Sequence, residues 1–508
     1  MKRIDPASLG VFLILMGSYA YFWQTRDWNI SSRLMLTYSM VDRGTVEITG
    51  LHQHTLDLAQ YQGRYYSDKL PGYSLLATVP YGIARGVFGF PAHPLNVRAD
   101  DYAHWPADYW VTLATSGLLS AATAVLLVSL ARQLGCRPAI AAMVGLAYGL
   151  STPAYVYATL AYGHQATAFA LLASFLLIWR RSSRFGWGMA RLAASGFLAA
   201  SAAVIEIQVG PVSAILGFYL LAEVLGRRQS PAGLVAFAFG ALVPTLALLK
   251  YNMLAFGSPW DMGYFHHVTF SHVHTKSNPL GLEDPKSWKL QRLLVSPYRG
   301  LFVFAPILLL ALPGWIVLAI RRRWALLISS ALVCITVMMV NLSYPEWTGG
   351  WSTGPRLLVP LIPFAMIPVA ALVAGRGRWV TFTAIIAGGL AVAGGLEMFL
   401  FQGAGGRIPH EIRFYPLAQP LRDAVWPLWV QGKSPHVEGF ARNLFSIAFP
   451  SWVASLPPRA RFVQMLPLAI AQVAAIGLLL KWLSGREQNV PEPTPPTDGL
   501  TPTGEVRL

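Results

Sequence analysis

The sequence predicts an all-α polytopic membrane protein of about twelve transmembrane helices, with one further helical element on the outer face. Three observations carry that expectation. Of the 508 residues, 54% are hydrophobic and 12% are charged, about half the charged share of a soluble domain. Apolar runs of about twenty residues, the length that crosses a hydrocarbon core, recur along almost the whole chain. Short arginine-rich gaps alternate with longer polar ones. The formal net charge of +16 is dispersed among those gaps, as membrane topology requires and nucleic-acid binding does not. Two cysteines, Cys136 in a short basic gap and Cys334 inside an apolar run, exclude a disulfide framework.

The first helix is expected at 8–23, after Met1-Lys2-Arg3. Trp23-Gln24-Thr25-Arg26 offers no small-residue cleavage site, so the helix is expected to be retained. Further spans are expected near 109–131, 138–158, 163–179, 189–205, 208–225, 231–252, 299–320, 324–342, 356–374, 379–401 and 461–483. Five gaps hold arginine and no acid: Arg132/Arg137, Arg180/Arg181/Arg184/Arg191, Arg227/Arg228, Arg321/Arg322/Arg323 and Arg376/Arg378. The positive-inside rule places them in the cytoplasm with both termini.

Residues 70–90 are apolar but break this parity, and they contain Pro71, Gly72, Pro80, Gly82, Arg85 and Gly86. Such residues weaken a lipid-spanning helix. The segment is therefore placed as a juxtamembrane or re-entrant element, with a true extra span as the alternative. The long polar stretches 24–69, 91–108, 253–298, 343–355 and 402–460 then share the outer side. Residues 1–484 form one transmembrane domain, and 485–508, with its Pro-Glu-Pro-Thr-Pro-Pro run, is expected to be a disordered cytoplasmic tail.

The first outer loop is richest in chemistry. Asp27, Asn29, Ser31 and Arg33 precede a short helix through Leu34–Val41, with Asn29 or Ser31 as its cap. His52, His54 and Asp57 follow, and the loop ends Tyr65-Tyr66-Ser67-Asp68-Lys69-Leu70-Pro71-Gly72. A carboxylate here can take a proton from a hydroxyl, and an ammonium can neutralise a phosphate leaving group. A solvated ion pair at the headgroups is the plainer alternative. His52, His54 and Asp57 could hold a divalent cation if extended, and His266, His267, His272 and His274 invite the same idea, but no spacing matches a zinc motif. The cofactor question stays open, and no metal ligand is assigned.

His164 opens a span on the outer side, and Glu206, in Ile205-Glu206-Ile207, has few polar neighbours. Tyr298-Arg299-Gly300 and Trp347-Thr348-Gly349-Gly350-Trp351-Ser352-Thr353-Gly354-Pro355-Arg356 set arginine among glycine and tryptophan. Arginine forks suit phosphate oxygens, and tryptophan faces suit sugar rings or isoprenoid chains.

In this order the motifs resemble the GT-C superfamily of polytopic glycosyltransferases, near the protein O-mannosyltransferases and lipid A aminoarabinose transferases. Tyr66-Ser67-Asp68-Lys69-Leu70-Pro71-Gly72 resembles their Tyr-x-x-Lys-Pro-Pro element. Tyr251-Asn252 with Phe256-Gly257-Ser258-Pro259, Tyr298-Arg299-Gly300 and the Trp-x-Gly-Gly-Trp run resemble a functionally undefined bacterial branch. The likeness covers most of residues 1–375. It implies a hexosyl- or pentosyltransferase in the bacterial inner membrane, its active site facing the periplasm or exterior. The implied donor is a sugar on polyprenyl phosphate, the acceptor a glycan, lipid or protein, and the displacement inverting. Lys69 takes the place of the phosphate-contacting lysine, with Arg33, Tyr66, His164, Tyr298, Arg299, Trp347, Trp351 and Arg356 as further substrate contacts. The superfamily's Asp-Glu pair is missing after the first span. Asp68, Asp57 and Asp27 therefore stand as candidates for the base. The rival readings are a transporter or flippase of lipid-linked precursors, and a lipid-linked glycan ligase or polymerase.

Overall fold

The computed structural model describes residues 5–97, 104–180, 185–269, 273–409 and 419–488. Arg181, Arg184, His272 and the tail from 489 onward lie outside these residues. Among the described residues, seven helices are long and apolar enough to cross a membrane: Pro106–Gln133, Gly186–Ile205, Ile207–Leu225, Ala232–Phe256, Trp324–Ser343, Arg378–Gly403 and Pro458–Arg486. Five shorter apolar helices, Pro6–Ala20, Pro138–Leu150, His164–Trp179, Pro306–Ile320 and Arg356–Leu372, occupy the other expected spans. The protein is an integral membrane protein.

Helix α1 (Pro6–Ala20) starts where the Asp5 side chain accepts from the Ser8 amide at 3.0 Å. Helices Gly186–Ile205 and Ala232–Phe256 cross closely because Gly196 and Gly240 have no side chain there. A Cβ on Gly196 would lie 1.8 Å from the Phe237 carbonyl oxygen, and one on Gly240 equally close to that of Ala193. Small residues allow this approach in lipid, where van der Waals packing drives helix association. The opposite face of Ala232–Phe256 leaves Val235, Phe239 and Leu254 exposed, suited to acyl chains.

The arginine gaps gather at one end of the bundle. Arg321 donates to the Ala371 and Ala374 carbonyls, the Gly375 amide to Gly135, and Arg180 to Ser129. The long polar stretches gather at the other end. There the Trp23 amide bonds to the Arg442 carbonyl, Val268 to Leu58, Glu283 to Ser343, and Ser352 to Ile408. The alternation read from charge is thus a separation in space.

At this second end the all-α expectation needs a correction. Strands β1 (Leu58–Tyr61) and β2 (Arg64–Ser67) form an antiparallel hairpin in which Leu58 pairs with Ser67 and Tyr61 with Arg64. Gln62 and Gly63 turn the chain with φ of 49° and 75°, the left-handed pair that a two-residue hairpin requires. Helix α2 (Trp28–Arg43) is longer than expected and is capped by Asp27, which accepts from the Ile30 amide at 2.8 Å, not by Asn29 or Ser31. Asn29 instead accepts from Arg33 Nε at 3.1 Å.

Helix α3 (Gly72–Gly86) occupies the ambiguous apolar segment. Its 15 residues span about 22 Å, the same length as α1. Gly72 lets its start press on the end of helix Gly186–Ile205, since a Cβ would lie 2.6 Å from the Val204 carbonyl. Tyr81 and Arg85 both donate to Asp42, at 2.5 and 2.7 Å, and Ser74 to the Arg33 carbonyl at 2.8 Å, so α3 is tied along α2. Val79, Ile83 and Val87 remain exposed along one stripe.

Candidate active site

Two clusters of ionisable side chains meet where α2, the hairpin and the later loops converge. The first forms because β2 delivers Asp68 and Lys69 beneath α2 and the strand opposite brings Asp57. Lys69 Nζ lies 2.6 Å from Asp68 Oδ2 and 3.0 Å from Asp57 Oδ2. Asp68 is 1% exposed. It also accepts from Ser32 Oγ at 3.0 Å and faces His267 Nε2 at 3.3 Å. His267 arrives on a loop that bonds to β1 and rests on Gly263, where a Cβ would lie 2.6 Å from the Ser67 carbonyl oxygen.

Burial by itself would raise the Asp68 carboxyl, but Lys69 and His267 outweigh it and hold the group well below the usual carboxylate range. Burial likewise opposes charge on Lys69, and Asp57 and Asp68 overcome it, holding the ammonium above its ordinary value. Asp57, Asp68 and His267 present donor atoms within 4.8 Å of one another, a set that fits a divalent cation. The Lys69 ammonium already bridges the two carboxylates, so a metal would have to displace it.

The expected grouping of His52 and His54 with Asp57 does not form. His52 stacks on Tyr65 at 4.0 Å, and His54 is buried against His93 at 4.8 Å. Burial, and next the charge of Arg26, push the His54 imidazole down to about 4.

The second cluster joins α2 to distant helix ends. Arg33, 1% exposed, pairs with Glu206 at 2.7 Å and lies 5.7 Å from the Tyr73 ring. His164 Nδ1 stands 3.9 Å from Glu206 Oε1, and its ring stacks on Tyr162. Gly163 permits this, because a Cβ there would lie 2.4 Å from Glu206 Oε1. The Tyr162 hydroxyl donates to Asp27, and Arg356 lies over the Tyr162 ring at 4.8 Å. Asp27 thus spends one oxygen on the helix cap and the other on Tyr162.

Tyr264 bridges the clusters, within electrostatic reach of Lys69, Glu206, Asp68 and Arg33. Tyr344, pushed up to about 12 by burial, feels both Lys69 and Arg356. Beside Glu206 opens a cleft whose polar lining is His164, Glu206, Gln208 and Asn341, with Val209, Val337, Val340, Leu357 and Pro360 as its apolar wall.

Other expected site residues are engaged in packing, with Arg299 within electrostatic reach of Arg356. Arg299 is fully buried and donates to the carbonyls of Thr348 at 2.9 Å, Tyr298 at 3.2 Å and Gly350 at 3.0 Å, so its fork holds the Trp-x-Gly-Gly-Trp loop. The Tyr298 ring lies 4.1 Å beneath that guanidinium. Trp347 is buried edge-on to Trp288, and Trp351 is half exposed. Tyr66 packs on Phe256 at 5.3 Å. Sequence reasoning missed Ser32, Tyr264, Gln208 and Asn341. Only Asn341 left a signal, as a lone amide after the apolar run from 331 to 340.

No protein-family model and no curated sequence matches the chain. Among solved structures, it is similar to ArnT from Cupriavidus metallidurans in the apo state, with TM-score 0.45 and 14% identity over 93% of this chain and 72% of that one. ArnT bound to undecaprenyl phosphate gives TM-score 0.47 and 13% identity over 94% and 74%. The Archaeoglobus fulgidus oligosaccharyltransferase in the apo form gives TM-score 0.47 and 12% identity over 82% of this chain. The chain spans 59% of the length of that oligosaccharyltransferase.

Proposed function

We propose that this protein is a GT-C-type glycosyltransferase of the bacterial inner membrane. It moves a sugar from a polyprenyl-phosphate carrier to a glycan, lipid or protein acceptor on the periplasmic face, with inversion. The observation that carries the reading is that Lys69, between Asp57 and Asp68, is linked through Tyr264 and Tyr344 to the cluster of Arg33, His164 and Arg356 at one end of an apolar bundle. Lys69 and Arg356 face the carrier phosphate and take up the negative charge that grows on it as the glycosidic bond breaks. A carboxylate removes the acceptor proton. The exposed stripe of α3 offers the isoprenoid chain an apolar track.

The test is mass spectrometry of surface glycans and envelope lipids from cells with and without the gene, complemented by wild type or Lys69→Ala. One modified species is expected to vanish on deletion, return with wild type and stay absent with Lys69→Ala. Unchanged profiles across all four strains would end the reading.

A further inference from the structure

Three acids at this end were candidates for the base, and their oxygens are differently occupied. Asp27 gives one oxygen to the helix cap and one to Tyr162. Asp68 gives Oδ1 to Ser32, and Oδ2 faces Lys69 and His267. Asp57 gives Oδ2 to Lys69, and its Oδ1 has no hydrogen-bond partner among the described residues, but Asp57 does not line the cleft. Glu206 differs. Its Oε1 takes Arg33 and faces His164, while Oε2 has no hydrogen-bond partner among the described residues. It is also the carboxylate that lines the cleft.

Around that cleft, polar atoms stand buried without a partner: His164 Nε2, Arg33 Nη1, and both side-chain polar atoms of Asn341. Asn341 is 2% exposed and His164 is 5% exposed. Buried donors and acceptors left unmade are expensive, and a neutral amide that offers both suits a hydroxyl group. The walls are apolar valine, leucine and proline, which keeps competing water few.

Resting on the transfer reaction proposed above, we infer that Glu206 is the catalytic base and that the His164–Glu206–Gln208–Asn341 cleft receives a hydroxyl-bearing acceptor. The acceptor O–H gives its proton to Glu206 Oε2, and its oxygen forms the bond to the anomeric carbon. The bond from that carbon to the phosphate oxygen breaks, and its electron pair leaves with the polyprenyl phosphate. Glu206 then releases the proton to water. Arg33 aims Glu206, and Asp57 and Asp68 position Lys69.

The experiment compares full-length wild type with Glu206→Gln, Glu206→Asp and Asn341→Ala in detergent. Turnover is read as undecaprenyl phosphate released from a panel of undecaprenyl-phosphate-linked pentoses and hexoses, with membrane lipid extract as acceptor. Undecaprenyl phosphate binding is read separately by native mass spectrometry. Glu206→Gln is expected to lose at least 100-fold in kcat and Glu206→Asp about tenfold, both with carrier binding intact. Asn341→Ala is expected to raise the KM for acceptor several-fold and leave the KM for donor unchanged. Turnover by Glu206→Gln within threefold of wild type overturns the assignment. Loss of carrier binding together with turnover in both Glu206 variants also overturns it, since that pattern marks a structural partner of Arg33. No release by wild type from any donor overturns the transfer reaction itself.

Discussion

Replacing Lys69 by methionine removes one ammonium from between two carboxylates and keeps most of the side-chain volume. The donor atoms of Asp57 and Asp68 are no more than 4.8 Å apart. At an effective dielectric near 20, that leaves at least about 3 kcal/mol of repulsion uncompensated. Breaking a buried pair from one side generally costs about 3–5 kcal/mol, which agrees. Lys69→Met is therefore expected to lose about 3 kcal/mol of stability, and adding Asp68→Asn to recover most of it.

The pH dependence separates this cause from lost packing. In wild type the Asp68 carboxyl is depressed. Its contribution is present above the unfolded value of about 4 and is lost only as pH falls below that, so Asp68 contributes no slope between pH 8 and 5. Without Lys69, burial and the Asp57 charge raise the folded value. The folded state then binds a proton that the unfolded chain does not, and stability rises as pH falls. Intrinsic tryptophan fluorescence during heating of the detergent-solubilised protein, across that window, measures both effects. A loss below about 0.5 kcal/mol, or a variant whose pH dependence parallels wild type, would refute the account of the cluster.

Gly263→Ala sets a Cβ 2.6 Å from the Ser67 carbonyl oxygen. It should cost about 1–3 kcal/mol and cut transfer at least tenfold by lifting His267 from Asp68; wild-type turnover would contradict the docking. Arg299→Lys should destabilise by about 2 kcal/mol, because a lysine cannot reproduce three forked bonds to carbonyls, and the loss should appear as faster protease cleavage at 347–351. His54, pushed down to about 4 by burial and then Arg26, folds neutral while the unfolded chain titrates near 6.5. Its contribution therefore falls as pH drops from 6.5 toward 4, and His54→Gln should flatten that part of the stability curve; an unchanged curve would place the acid sensitivity elsewhere.

The apolar helices were legible because hydropathy sums along a local window, and the grouping of the gaps at two ends because charge is read one loop at a time. All twelve expected spans coincide with apolar helices, seven of full crossing length and five shorter. The helix nature of 72–86 followed from the same local reasoning.

Tertiary structure decided the partners. Asp27 rather than Asn29 caps α2 because Asn29 is taken by Arg33, and Arg33 is aimed by Glu206, 173 residues away. Nothing near His267 in the sequence points to Asp68, nor near Asn341 to His164. Arg299 reads like a phosphate ligand until the loop around residue 348 folds over its guanidinium. Electrostatics and hydrogen bonding act over a few ångströms regardless of chain separation. A one-dimensional pattern can therefore name the ionisable residues and the membrane end they occupy, while only the packed chain determines which of their atoms stay free to react.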